Sequence, residues 1–163
     1  RYQEIPDVGL YLEQTAKYID SYLSPLEDIS ITGSMISNYV KKKIINNPVK
    51  KQYGRDQIAS LIFIAIAKSV LSLDNIHMMF EIQRQTYDNA TAYNYFCSEF
   101  ELILHHVFES DQADAKTGAA HNAKKEHGTF SNEKTMLRNM IITVAHKIYL
   151  DRYFSLLRDE DTI

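Results

Sequence analysis

The 163 residues are 45% hydrophobic and 24% charged, with five Gly and three Pro; this excludes a disordered chain and argues against a turn-rich β fold. The single Cys97 excludes an internal disulfide and a multi-cysteine zinc site. The net charge of −3 hides an asymmetry: no acid stands between Asp28 and Asp56, an interval holding Lys41, Lys42, Lys43, Lys50, Lys51 and Arg55, while the rest carries 12 basic against 21 acidic side chains.

Residues 1–8 read as an extended arm. Leu10–Leu23 reads as a helix, with Leu12, Ala16, Ile19 and Leu23 on one stripe and Pro25 as its stop. Leu26–Ile31 is a connector. Thr32 is an N-cap candidate for a helix from Gly33 to about Ile44, broken by Asn46, Asn47 and Pro48. Val49–Tyr53 is short and basic, and suits a two-stranded wing or an extended loop. Gly54–Val70 reads as a helix buried on most sides, because its middle is almost wholly apolar. Ser72 opens a helix to about Gln85, with Asp74 in the first turn, where the helix dipole favours an acid.

A longer helix runs from Asp88 or Asn89 to about Glu109. From Ser110 the pattern dissolves, so 110–130 reads as a connector. Ser131 caps a last helix to about Arg158, whose stripe of Met136, Leu137, Met140, Ile141, Val144 and Ile148 continues to Tyr153 and Leu157. The longest apolar stretch, Ala59–Leu71, is too short and too polar to span a bilayer. No basic n-region followed by an apolar run opens the chain, so the expectation is a cytoplasmic protein without membrane contact.

The informative stretch is Ile31–Phe80. In the helix from Gly33, residues Met35, Ile36, Tyr39, Val40 and Ile44 fall on one side, and Ser34, Ser37, Asn38, Lys41 and Lys42 on the other. That second face offers hydroxyl, amide and ammonium groups and no carboxylate. Such groups donate to base edges and phosphates in a major groove. An ordinary solvated helix face is the plainer reading of the same residues. With Lys50, Lys51 and Arg55 of the wing they make the candidate DNA-binding set.

The order of elements resembles the DNA-binding domain of the MerR family of winged-helix regulators. Ile36-Ser37-Asn38-Tyr39 stands at that family's Leu-Arg-Tyr-Tyr, Lys43-Ile44-Ile45 at its Gly-Leu-Leu, and Lys50, Lys51 and Tyr53 in its basic wing. Val70-Leu71-Ser72-Leu73-Asp74-Asn75-Ile76 stands at the start of its next helix. Ser37, Asn38 and Val40 replace the family's arginine, first tyrosine and glutamate, so the resemblance implies phosphate contact more firmly than base readout. The whole chain further resembles an uncharacterised domain-of-unknown-function family of low-GC Gram-positive bacteria with a MerR-like helix-turn-helix. Pro6-Asp7, Leu10-Tyr11, Thr32, Met35-Ile36, Asn38-Tyr39, Lys41 and Pro48-Val49-Lys50-Lys51 with Tyr53 carry that likeness.

The expected fold is therefore all-α with room for a minimal β wing: a winged helix-turn-helix over 1–86, its basic part at 32–55, and a C-terminal helical bundle over 87–163. The expected function is a homodimeric DNA-binding transcriptional regulator. The alternative is a non-enzymatic interaction module whose basic surface meets an acidic protein. Tyr93, Phe96 and Phe100 read first as core, and otherwise as an effector pocket or dimer surface. The six histidines show no metal-ligand spacing. No nucleophile elbow or phosphate loop appears, so no cofactor, metal site or catalytic residue is expected.

Overall fold

A computed structural model describes residues 1–26, 28–117 and 131–160, with side chains described outside 110–117 and 159–160. The described residues are mostly helical, with one tiny sheet. In chain order the elements are β1 (Leu10–Tyr11), α1 (Leu12–Leu23), α2 (Gly33–Lys41), β2 (Gln52–Tyr53), α3 (Arg55–Ala67), α4 (Leu73–Thr86), α5 (Asn89–Thr117) and α6 (Asn132–Glu160). The chain divides into two compact units, Arg1–Cys97 and Ser98–Ile163.

The first unit is organised around α3. Ile58, Leu61, Ile64, Ala65 and Ala67 are fully buried, and Ala59, Phe63 and Ile66 nearly so. A helix this apolar on every side is stable only inside other elements. Ile19 of α1, Ile36 of α2 and Ile76 of α4 are likewise fully buried. Phe63 sets its ring edge-on to Phe96 at 5.1 Å and tilted to Phe80 at 5.4 Å. Such aromatic contacts contribute about 1 kcal/mol each beyond area burial.

Local sequence explains the helix ends. The Thr32 hydroxyl accepts the Met35 N–H at 3.3 Å, and the Ser72 hydroxyl accepts the Asn75 N–H at 3.2 Å. Each supplies an acceptor to an N–H that has no intrahelical partner. The Gln57 side chain works at both its ends. Its Oε1 accepts the Gly54 N–H and its Nε2 donates to the Asn46 carbonyl, both at 2.9 Å. That residue therefore ties the start of α3 to the loop that follows α2.

Four expectations shift. Tyr2–Glu4 forms a 3-10 turn within the arm expected to be extended. Leu10 and Tyr11 pair antiparallel with Tyr53 and Gln52, so they form a strand and the helix starts at Leu12. Helix α2 stops at Lys41, three residues before Ile44, for a backbone reason given below. Helix α5 runs on to Thr117, eight residues into the expected connector. Ala113, Ala115 and Lys116 are good helix formers, and the small polar residues around them hide that propensity from a search for apolar periodicity. The rest of that connector, 118–130, lies outside the described residues.

The second unit holds the larger part of α5 and all of α6. Its side chains Phe100, Ile103, Met140, Ile141, Val144 and Ala145 are buried in the chain. The Arg138 guanidinium lies 3.8 Å from the Glu99 carboxylate, and the Phe108 and Tyr149 rings meet edge-on at 5.6 Å. The two contacts advance together along both helices, so α5 and α6 run side by side in the same direction there. Among the described residues no helix is long and apolar enough to cross a membrane.

Candidate nucleic-acid interface

Helix α2 divides cleanly. Gly33, Ile36 and Tyr39 are buried and Met35 and Val40 half-buried, while Ser34, Ser37, Asn38, Lys41 and Lys42 are exposed. At 100° per residue the exposed five occupy one continuous face. The helix packs on α1, and desolvation pushes the buried Tyr39 phenol above its ordinary pKa.

The helix ends by a reversal of the backbone. Lys43 adopts φ 58°, the Ile44 N–H donates to the Tyr39 carbonyl at 3.0 Å, and the Lys43 N–H to the Val40 carbonyl at 2.9 Å. These are the paired bonds of a Schellman motif, and its left-handed position usually carries glycine. The apolar contact that accompanies the motif is available too, since Tyr39 and Ile44 are each 3% exposed.

Five residues further on the chain doubles back. Val49 and Gln52 exchange both backbone hydrogen bonds, at 3.1 and 2.9 Å, around Lys50 at φ 50° and Lys51 at φ 65°. Two successive left-handed residues between bonded partners make a type I′ turn, which favours Asn-Gly. Here both positions are lysine, and both side chains are exposed. The returning strand β2 pairs with β1. Gly9 lies so close to it that a Cβ there would stand 2.7 Å from the Gln52 Cβ.

Arg55 is engaged by the N-terminal arm. Its Nε donates to the Ile5 carbonyl at 2.8 Å, its guanidinium stands 3.8 Å from Asp7, and its Cζ lies 5.6 Å from the Tyr2 ring centroid. The Tyr2 hydroxyl in turn donates to Asp56. Arg55 therefore fastens the N-terminal arm to the start of α3. Its place at the end of the acid-free interval gave no hint of this, because Asp7 is distant in sequence.

Two further residues bear on the face and were not singled out from sequence. Lys68, the C-cap of α3, is half-buried and reaches within 3.7 Å of the Met35 sulfur. Met35 borders the exposed face on the side of Asn38 and Lys42. Desolvation lowers the Lys68 pKa. Glu13 of α1 lies over the first turn of α2, its Oε1 2.5 Å from where a Gly33 Cβ would be. A carboxylate there suits the positive end of the helix and sets one negative charge beside Ser34 and Ser37.

The aromatics considered for an effector pocket or dimer surface lie in the core or against other rings. Phe96 and Phe100 are buried, one in each unit. Tyr93 is half-buried between Tyr2 at 6.4 Å and Phe96 at 6.3 Å. Among the described residues no three His, Cys, Asp or Glu side chains are arranged to hold a metal ion. His121 and His127 lie outside those residues.

A protein-family model described as a domain of unknown function, DUF1836, matches residues 1–96. No curated protein and no solved structure matches the chain.

Proposed function

This chain belongs to the DUF1836 family, a domain of unknown function, and we propose that it binds duplex DNA in the manner of a winged helix-turn-helix. In this reading α2 lies along the major groove, and the Lys50–Lys51 hairpin tip grips phosphates as the wing. The observation that carries the reading is the hairpin tip itself. A left-handed conformation costs a non-glycine residue about 1–2 kcal/mol, and backbone strain of this kind gathers at functional positions. A turn selected for stability alone would not hold two lysines in it; a turn selected to present two ammonium groups would.

The likeness to MerR regulators gains support at the same scale. The glycine of that family's Gly-Leu-Leu stands at Lys43, which takes the left-handed conformation a glycine would favour, and Ile44 and Ile45 are buried where the two leucines stand. Ser34, Ser37 and Asn38 would face base edges, and Lys41, Lys42, Lys50 and Lys51 phosphates. Arg55 is left out of the set. Regulators of this kind read two half-sites with a two-fold pair of chains, spaced by about 34 Å or a multiple of it. Transcriptional regulation and a cytoplasmic location belong to the same proposal.

The test is fluorescence anisotropy of a labelled duplex titrated with protein across a salt series. Affinity should fall steeply with salt. Lys50→Ala and Lys51→Ala should each weaken binding equally on unrelated duplexes and lower the log–log salt slope by about 1. Asn38→Ala should alter sequence preference, with losses of roughly 1–3 kcal/mol at sites it reaches. Absence of binding at low salt would sink the proposal and leave an acidic protein as the partner of the same surface.

A further inference from the structure

We propose that the last turns of α6 form a face on which a second copy of this chain docks, with the two α6 helices antiparallel. The face lies wholly in the second unit and owes nothing to the DNA reading.

Four large apolar side chains carry it. Leu150, Tyr153, Phe154 and Leu157 are 49, 48, 53 and 40% exposed. They occupy positions i, i+3, i+4 and i+7, a single stripe along the helix. A few turns earlier the same helix buries Met140, Ile141, Val144 and Ala145. Ring contacts make the exposed surface continuous: Phe108 meets Tyr149 edge-on at 5.6 Å, Tyr149 stacks on Tyr153 at 6.4 Å, and Tyr153 meets Phe154 edge-on at 5.9 Å.

The identity of the occupant follows from the pattern. Leu, aromatic, aromatic, Leu at spacings of three, one and three reads the same in both directions. A two-fold axis between residues 153 and 154 of paired helices sets Leu150 across from Leu157 of the other copy, and Tyr153 across from Phe154. Such a face is complementary to itself, as an isologous interface requires. With Leu156 and Phe108 it offers roughly 500 Å² of apolar surface, the size of the largest patch on a typical monomer, which is often a functional one. A stable interface buries about 800 Å² per partner, so a core of this size needs only a polar rim. Arg158 is exposed beside it.

Sedimentation equilibrium of the full chain, without DNA, tests the proposal. The expected mass is twice 18.9 kDa at about 10⁻⁵–10⁻⁴ M, the weak end of specific association. Phe154→Glu, and separately Leu150→Gln, should give the monomer mass at the same concentrations with unchanged helical circular dichroism. Orientation has its own readout. On a Cys97→Ser background, Leu150→Cys and Leu157→Cys proteins should form a disulfide with each other when mixed, and neither with itself, because a disulfide bridges Cα atoms no more than about 7 Å apart. A monomer at every concentration, a dimer indifferent to both substitutions, or Leu150→Cys linking to itself would each overturn it. Duplex binding is measured separately, so either proposal can fall while the other stands.

Discussion

Three lysines, at positions 43, 50 and 51, hold left-handed backbone, and they do so for two different reasons. Lys43 closes a helix, a task any residue tolerant of positive φ performs. Lys43→Gly should therefore raise the urea midpoint, adding about 1 kcal/mol of stability. Lys50 and Lys51 make the hairpin tip, where charge and strain are joined. Replacing the pair by Asn-Gly keeps the turn type and relieves the strain. The double variant should melt at higher temperature and bind duplex DNA more weakly, with its salt slope reduced by about 2. A more stable protein with undiminished affinity would remove the functional reason for the strained pair. Tyr2 gives a prediction in pH. Burial first, and then its hydrogen bond to Asp56, push its phenol up to about 12. A pKa above the ordinary tyrosine value near 10 means that the folded state keeps a proton the unfolded chain releases. That stability is whole below about pH 10 and is lost as pH rises toward 12. Tyr18, raised to about 12 chiefly by burial, acts in the same direction. The urea midpoint should fall across this window, and less steeply in Tyr2→Phe; an equal slope in both proteins would locate the titration elsewhere.

At the scale of elements, the helices were legible where apolar periodicity and capping residues coincide. Thr32 and Ser72 cap α2 and α4 as their sequence suggests, and α3 is buried because its apolar residues leave no polar face. The polar face of α2 is exposed as read, since its apolar residues take the opposite side. What escaped reading depends on partners distant in sequence. Leu10-Tyr11 looks like the first turn of α1, and only pairing with Gln52-Tyr53 makes it a strand. Arg55 looks like a free cation until Ile5, Asp7 and Tyr2 are folded against it. Lys68 reaches Met35 across 33 residues, a proximity that no local pattern carries. The pairing of β1 with β2 has a consequence of its own, because it anchors the base of the lysine hairpin. Gly9→Ala would set its Cβ 2.7 Å from the Gln52 Cβ, too close for either strand to keep its place. It should cost roughly 1–3 kcal/mol, as other insertions into close-packed sites do. DNA affinity should fall with it at constant charge. A full complement of stability in Gly9→Ala, read by urea denaturation, would mean that the arm has room to shift.

For the whole molecule, the charge asymmetry and the division into units give the largest test. The basic interval lies inside Arg1–Cys97, and the family match ends at residue 96, one residue before that unit does. The fully buried side chains Ile19, Ile36, Ile58, Leu61, Ile64 and Ile76 lie in it, and it is a compact unit by itself. A fragment 1–97 should therefore fold cooperatively, seen as a single sigmoidal melt by circular dichroism. If the α6 face pairs two copies, the fragment lacks it and binds as a monomer. Phosphate contacts per chain would be unchanged, so on a duplex with one half-site fragment and full chain should share the same salt slope per bound chain. On a duplex with two correctly spaced half-sites the full chain gains from binding both at once. The fragment should bind that duplex about 10²-fold more weakly than the full chain, the lower end of what linking two sites confers. Equal affinity of fragment and full chain for the paired sites would show that the second unit contributes nothing to DNA recognition. A fragment that melts without cooperativity would show that the first unit's core is insufficient alone.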